Sequence, residues 1–144
     1  MNILDTFKQK AKQAKQRIVL PEGMDDRTLV AADRLNREEL ASVILLGSPE
    51  AIRRRADELS LNLGKLTIID PSQSEKLSPY ANLYYERMKS KGITKDEAIR
   101  QLKSPLYYGA MMVNTGDADG SVAGATNTTA ETVRAALRCI GLRE

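Results

Sequence analysis

The sequence predicts an α/β domain: a parallel sheet covered by helices on both faces, in three layers. Three observations carry that prediction. Apolar runs of strand length recur at 17–23, 41–47 and 66–70 without alternating polar residues, the pattern of strands buried on both faces. The starts of these runs lie about two dozen residues apart, and each gap holds a helical periodicity, as right-handed βαβ units require. The 144 residues are 42% hydrophobic and 28% charged, which suits one folded domain and not a disordered tail.

Taken in order, Ile3, Leu4, Phe7, Ala11, Ala14 and Ile18 recur at helical spacing with lysines mostly between them, so an amphipathic helix comes first and is expected to pack on the domain. The run 17–23 follows as a strand, stopped by Pro21 and turned by Gly23. Asp25 or Asp26 caps the next helix, which turns Leu29, Ala32 and Leu35 inward. After the strand at 41–47, Ser48 and Pro49 start a helix lined by Ile52, Ala56 and Leu59, with Arg53, Arg54 and Arg55 as a solvated face. The third strand, 66–70, closes at Pro71.

Three helical segments then precede the next strand. Leu77, Tyr80, Ala81, Tyr84 and Met88 make one stripe, flanked by Arg87 and ended near Gly92. Thr94 and Glu97 form a capping box, Ser104-Pro105 starts a further helix, and the nearly all-apolar 106–113 predicts that this helix is buried up to Gly116. Tyr84, Tyr85 and Tyr108 are expected to pack and to hydrogen-bond through their hydroxyls.

The segment 119–134 carries the chemistry. Gly120 and Gly124 bracket a strand thin enough for a crowded sheet, and it breaks into a hydroxyl-rich turn that opens a helix over 129–140. Such a start offers unpaired N–H groups and the positive end of the helix dipole to an anion. Thr126, Asn127, Thr128 and Thr129 add polar groups there, and Arg134 adds a charge. Thr128 with Glu131 also reads as a capping box, a role compatible with an anion nearby.

Several functions are excluded by what the chain lacks. It has no histidine, so proton transfer would fall to carboxylates, lysine or tyrosine. Its lone cysteine, Cys139, precludes an internal disulfide and a thiolate metal cluster. A net charge of +3 with 4% aromatic residues gives no platform for nucleic acid. No apolar run reaches membrane-spanning length and no signal segment leads the chain, so a cytoplasmic location without a membrane partner is expected. Neither G-x-x-x-x-G-K-[ST] nor G-x-G-x-x-G occurs. The pairs Asp25/Asp26 and Asp117/Asp119 read as caps and turns more simply than as metal ligands.

Five segments, in order and spacing, resemble the phosphate acetyltransferase family over the whole chain: Leu20-Pro21-Glu22-Gly23 with Asp25, Asp26 and Arg27; Val43-Ile44-Leu45-Leu46-Gly47; Ile69-Asp70-Pro71; Lys91-Gly92-Ile93-Thr94; and 119–125 leading into Thr132-Val133-Arg134. The resemblance implies reversible, metal-free acyl transfer between coenzyme A and inorganic phosphate. It also implies a homodimer whose subunits have two α/β domains with the active site between them. Family members are more than twice as long, so residues 1–144 would be the incomplete first domain. A serine, an arginine and an aspartate of the catalytic centre would lie in the part not spanned, leaving this portion inactive alone. Arg134 and Arg87 match arginines that the family uses on coenzyme A and phosphate. The chain departs from the pattern at Asn127, where many relatives carry histidine, and at Ala135, where most carry proline. Two alternatives remain open: a phosphate butyryltransferase, or a non-catalytic module that binds a phosphorylated ligand.

Overall fold

The structure, a computed structural model, describes residues 1–143. Four parallel strands form one sheet in the order β3-β2-β1-β4, with β1 at Arg17–Leu20, β2 at Ser42–Leu46, β3 at Thr67–Ile69 and β4 at Gly120–Ser121. Helices α1 (Ile3–Ala14), α2 (Asp26–Arg37) and α3 (Pro49–Glu58) come in the first half of the chain. Helices α4 (Leu77–Met88), α5 (Lys95–Leu102), α6 (Pro105–Thr115) and α7 (Thr129–Cys139) follow.

The sheet divides the core in two. Val43 and Leu45 of β2 pack with Leu29 and Ala32 of α2 and Ile52 and Ala56 of α3. The alternate residues Ile44 and Leu46 face the opposite layer, built from α4, α5, α6 and α7. The uninterrupted apolar run of β2 therefore serves both faces, and the three-layer α/β/α arrangement predicted from it is found. Gly109 lets α6 press onto the sheet, since a Cβ there would stand 3.0 Å from Val19 Cγ1 and 3.2 Å from Pro21 Cγ.

Helix starts form as the sequence indicates. Asp25, not Asp26, caps α2 by accepting from Arg27 N, while Asp26 pairs with Arg55 of α3 at 2.7 Å. Ser48 caps α3 with Pro49 behind it, and Thr94 and Thr128 each complete a capping box. Of the arginine run, Arg54 pairs with Glu50 and Arg55 with Asp26 and Glu58, so the face is solvated but laced with ion pairs.

Two expectations are corrected. Helix α1 forms, but none of its residues is buried; Phe7 is 57% exposed, and one ion pair, Lys8 to Glu38 at 2.6 Å, ties the helix to the domain. Its apolar stripe meets no complementary surface among the described residues. Strand β4 is two residues long and lies at the sheet edge, not in a crowded interior, with Val122 beyond it 63% exposed. Arg17 makes that short strand possible: its guanidinium grips Asp119 and the carbonyls of Gly116 and Asp117, which holds the chain against β1.

Candidate functional site

Because the chain passes from β1 outward to β2 and β3 and then returns to lay β4 on the other side of β1, the strand order reverses between β1 and β4. At such a reversal the loops leaving the carboxyl ends part and open a crevice. The loop from β1 is Pro21-Glu22-Gly23, and the loop from β4 runs through 122–127 into α7.

Glu22 spans that crevice. Its Oε1 accepts from the Gly124 and Ala125 amides at 2.7 and 2.9 Å. Its Oε2 accepts from the Thr126 amide and hydroxyl at 2.6 and 2.8 Å and from the Asn127 amide and side-chain Nδ2 at 2.7 and 3.1 Å. Successive amides converging on one anion form a nest, here filled by the protein's own carboxylate. Glu22 is 9% exposed, and this burial by itself would raise its pKa; the amide donors of Asn127, Thr126 and Ala125 outweigh it and hold the group at about 2. Arg27 reinforces the turn by donating to the Ala125 carbonyl while it forks onto Asp25 at 3.1 and 3.0 Å. The donors that the sequence offers to an external anion at this turn are thus occupied from within.

Two cavities flank the stapled turn. The larger, about 600 Å³, is bounded by Glu22, Arg27, Gly47, Ser104, Thr126 and Asn127. The other, about 330 Å³, shares Ser104 and Asn127 and adds Tyr107, Glu131, Arg134 and Arg138. Ser104 precedes Pro105 at the start of α6 but makes no side-chain capping bond, so its hydroxyl stays available to both cavities. Arg134 is exposed and has no ion-pair partner among the described residues.

Thr126, Asn127 and Arg134 are therefore brought to one crevice. Thr128 is engaged in its capping box, and Thr129 opens α7 at the surface. Arg87 is elsewhere: its Nε donates to the Arg138 carbonyl at 3.0 Å, closing the opposite end of α7. That helix is about 16 Å long, so Arg87 and the turn lie at its two ends. Among the described residues no group of three or more carboxylates and thiols gathers to hold a metal ion, and Cys139 is buried with its thiol pushed up to about 12 by desolvation. No helix is long and apolar enough to cross a membrane.

Glu22 and Ser104 escape a reading of the sequence. Glu22 belongs to a recognisable segment, but its partners stand 102 to 105 residues away, beyond any local pattern. Ser104 reads as an ordinary cap, and only the missing bond distinguishes it.

A family model described as phosphate acetyl/butaryl transferase matches residues 2–144. The chain is 44% identical to the phosphate acetyltransferase of Thermoanaerobacterium thermosaccharolyticum over 140 residues, which is 97% of this chain and 42% of that protein. It is 46% identical to the phosphate acetyltransferase of Nitratidesulfovibrio vulgaris over 132 residues, 92% of this chain and 19% of that longer protein. Among solved structures, EutD phosphotransacetylase from Staphylococcus aureus superposes with a TM-score of 0.87 at 35% identity, covering 97% of this chain and 42% of its own. A phosphotransacetylase from Streptococcus pyogenes also gives 0.87 at 35%, covering 96% and 43%. The chain thus spans less than half the length of these relatives.

Proposed function

We propose, from the premise that this chain belongs to the phosphate acetyl/butaryl transferase family, that it supplies the anion-holding half of an enzyme that moves an acetyl group reversibly between coenzyme A and inorganic phosphate. The observation that carries the reading is the coincidence of the family match over residues 2–144 with a crevice that gathers Ser104, Asn127 and Arg134 at the β1/β4 reversal. Acetyl is favoured over butyryl because the similar relatives are named phosphate acetyltransferase.

Attack of a thiolate on an acyl phosphate builds negative charge on the carbonyl oxygen and on the departing phosphate. Donors already fixed in place stabilise that charge without reorganising, and loss of one such donor costs about 3 kcal/mol of barrier. Arg134 suits this task because a guanidinium stays charged and forks onto two phosphate oxygens at once. With the turn's amides bound to Glu22, Thr126, Asn127, Thr128 and Thr129 act by setting the course of α7, and the ligand is left to Arg134 and Ser104. Arg87 supports the far end of the same helix instead of touching phosphate.

The thiol base and the remaining transition-state groups belong, in this reading, to the length of the relatives that the chain does not span. Residues 1–144 then act as the first of two α/β domains. The whole enzyme is a cytoplasmic, metal-free homodimer whose partners are coenzyme A, phosphate and acetyl phosphate, with neither nucleic acid nor membrane involved.

The test is an assay of coenzyme A acetylation from acetyl phosphate, paired with thermal shift by phosphate. The 144-residue chain is expected to show no turnover, and its phosphate-induced stabilisation is expected to fall in Arg134→Gln but not in Arg53→Gln. Turnover by this chain alone, abolished by Arg134→Ala, would overturn the assignment of the base to the part not spanned.

A further inference from the structure

Tyr84 is fully buried, and its hydroxyl, which stands beside the Arg138 guanidinium, makes no hydrogen bond of good geometry among the described residues, the one buried side-chain nitrogen or oxygen so placed. Buried hydroxyls almost always find a partner, so an orphan calls for an explanation. Tyr84 forms part of the wall of a cavity of about 370 Å³ that also includes Glu97, Arg100, Gln101 and Arg138. Gln101 and Arg138 belong as well to the cavity beside Arg134, so the two spaces meet along one groove.

The charge in this groove is unbalanced. Arg100, Arg134 and Arg138 have no ion-pair partner among the described residues. The two carboxylates that line it are turned to helix caps: Glu97 accepts from the Thr94 amide at 3.0 Å, and Glu131 from the Thr128 amide at 2.8 Å. Arg138 is half-buried beside Tyr84 and Tyr107, whose rings meet edge to face with centroids 5.9 Å apart. Desolvation disfavours its charged form and the two phenols favour that form by more, but neither phenol is a counter-ion, so the positive charge is left for an incoming anion to pair with.

We propose that this groove is a second oxyanion site, centred on Arg138 with the Tyr84 phenol positioning it from behind, which takes a phosphoryl group carried by inorganic phosphate or by a phosphomonoester. A tetrahedral dianion matches the donors better than a carboxylate does, because it can accept a guanidinium fork from Arg138 and still present oxygens to Arg100 and to the Gln101 amide. The site shares no donor with the Glu22-filled turn and goes beyond the role assigned to Arg134.

The experiment is calorimetric titration of the 144-residue chain with inorganic phosphate and, separately, with glycerol 3-phosphate, alongside melting curves. Arg138→Gln is expected to weaken one class of site at least tenfold, while Arg134→Gln leaves that class intact. Tyr84→Phe is expected to weaken the same class several-fold and yet to raise the melting temperature of the ligand-free protein, since it removes an unpaired buried hydroxyl. A purely structural Tyr84 would not move these two readouts in opposite directions. Tighter binding of glycerol 3-phosphate assigns the site to a monoester, and tighter binding of phosphate assigns it to the free ion. The proposal is overturned if neither probe saturates the wild-type chain, or if Arg134→Gln alone removes all binding; in the latter case the role of Arg134 stands and that of Arg138 falls.

Discussion

Glu22 shows how much one side chain can fix. Six donors from four consecutive residues converge on its two oxygens, so both the path of the turn and the origin of α7 depend on a negative charge at one point. Its pKa is lowered from 4.5 to about 2, so the stabilisation is complete above pH 4.5 and is lost as pH falls toward 2. At about 1.4 kcal/mol per unit the contribution is on the order of 3 kcal/mol. Glu38, held low first by Lys8 and then by Arg34, titrates over the same range, but it is solvated and its ion pairs weaken in salt. Asp25, Asp26, Asp117 and Asp119 are also held low, so the share of Glu22 is read from the difference between wild type and Glu22→Gln in denaturant unfolding at high salt. Glu22→Gln puts an amide NH₂ among N–H donors, and is expected to cost 2–4 kcal/mol at pH 7, on the order of breaking a buried charge-assisted network. The variant should also flatten the acid limb below pH 4.5. Equal slopes in wild type and variant would contradict this account. The sequence marks the segment that holds Glu22 but not this role, because a nest is made of backbone amides and leaves no side-chain signature.

Among the elements, those legible in the sequence were the ones whose pattern is local. Strands β1, β2 and β3 announce themselves through apolar runs, and α2, α3, α5 and α7 through caps. Strand β4 is shorter than its sequence suggests, because its small residues fit a buried strand equally well; its place at the edge is set by Arg17 and Asp119, a pair 102 residues apart. Helix α1 packs less than its stripe suggests, because an amphipathic stripe says that a face can be covered, not what covers it. Phe7→Ser is accordingly expected to shift stability by less than about 0.5 kcal/mol in urea unfolding. Gly23→Ala makes the contrasting case. Its Cβ would lie 2.5 Å from the Leu46 carbonyl oxygen and 2.9 Å from Ile52 Cδ1, where β1's exit crosses the end of β2. Overpacking of this kind typically costs about 1–3 kcal/mol, and the urea midpoint is expected to fall accordingly. A wild-type midpoint in Gly23→Ala would mean that the two loops are not held against each other.

For the molecule as a whole, stability should be graded along the chain. The two halves of the core meet on β2, whereas α1 is joined to the rest by a single solvated ion pair. Native-state hydrogen exchange is expected to show α1 opening at far lower free energy than β2, which should exchange only through global unfolding. Protection of α1 equal to that of β2 would reveal a contact that the fold does not contain. The long reach between Glu22 and residues 124–127 has a kinetic corollary. Closing a loop of that span is entropically slow and must follow the local pairings. During synthesis Glu22 is an ordinary solvated acid until Asn127 has emerged and found it, so a nascent chain stalled anywhere short of that point has no crevice to present. The crevice thereby becomes a report that residues 22 and 124–127 have met, not merely that the first strands have paired.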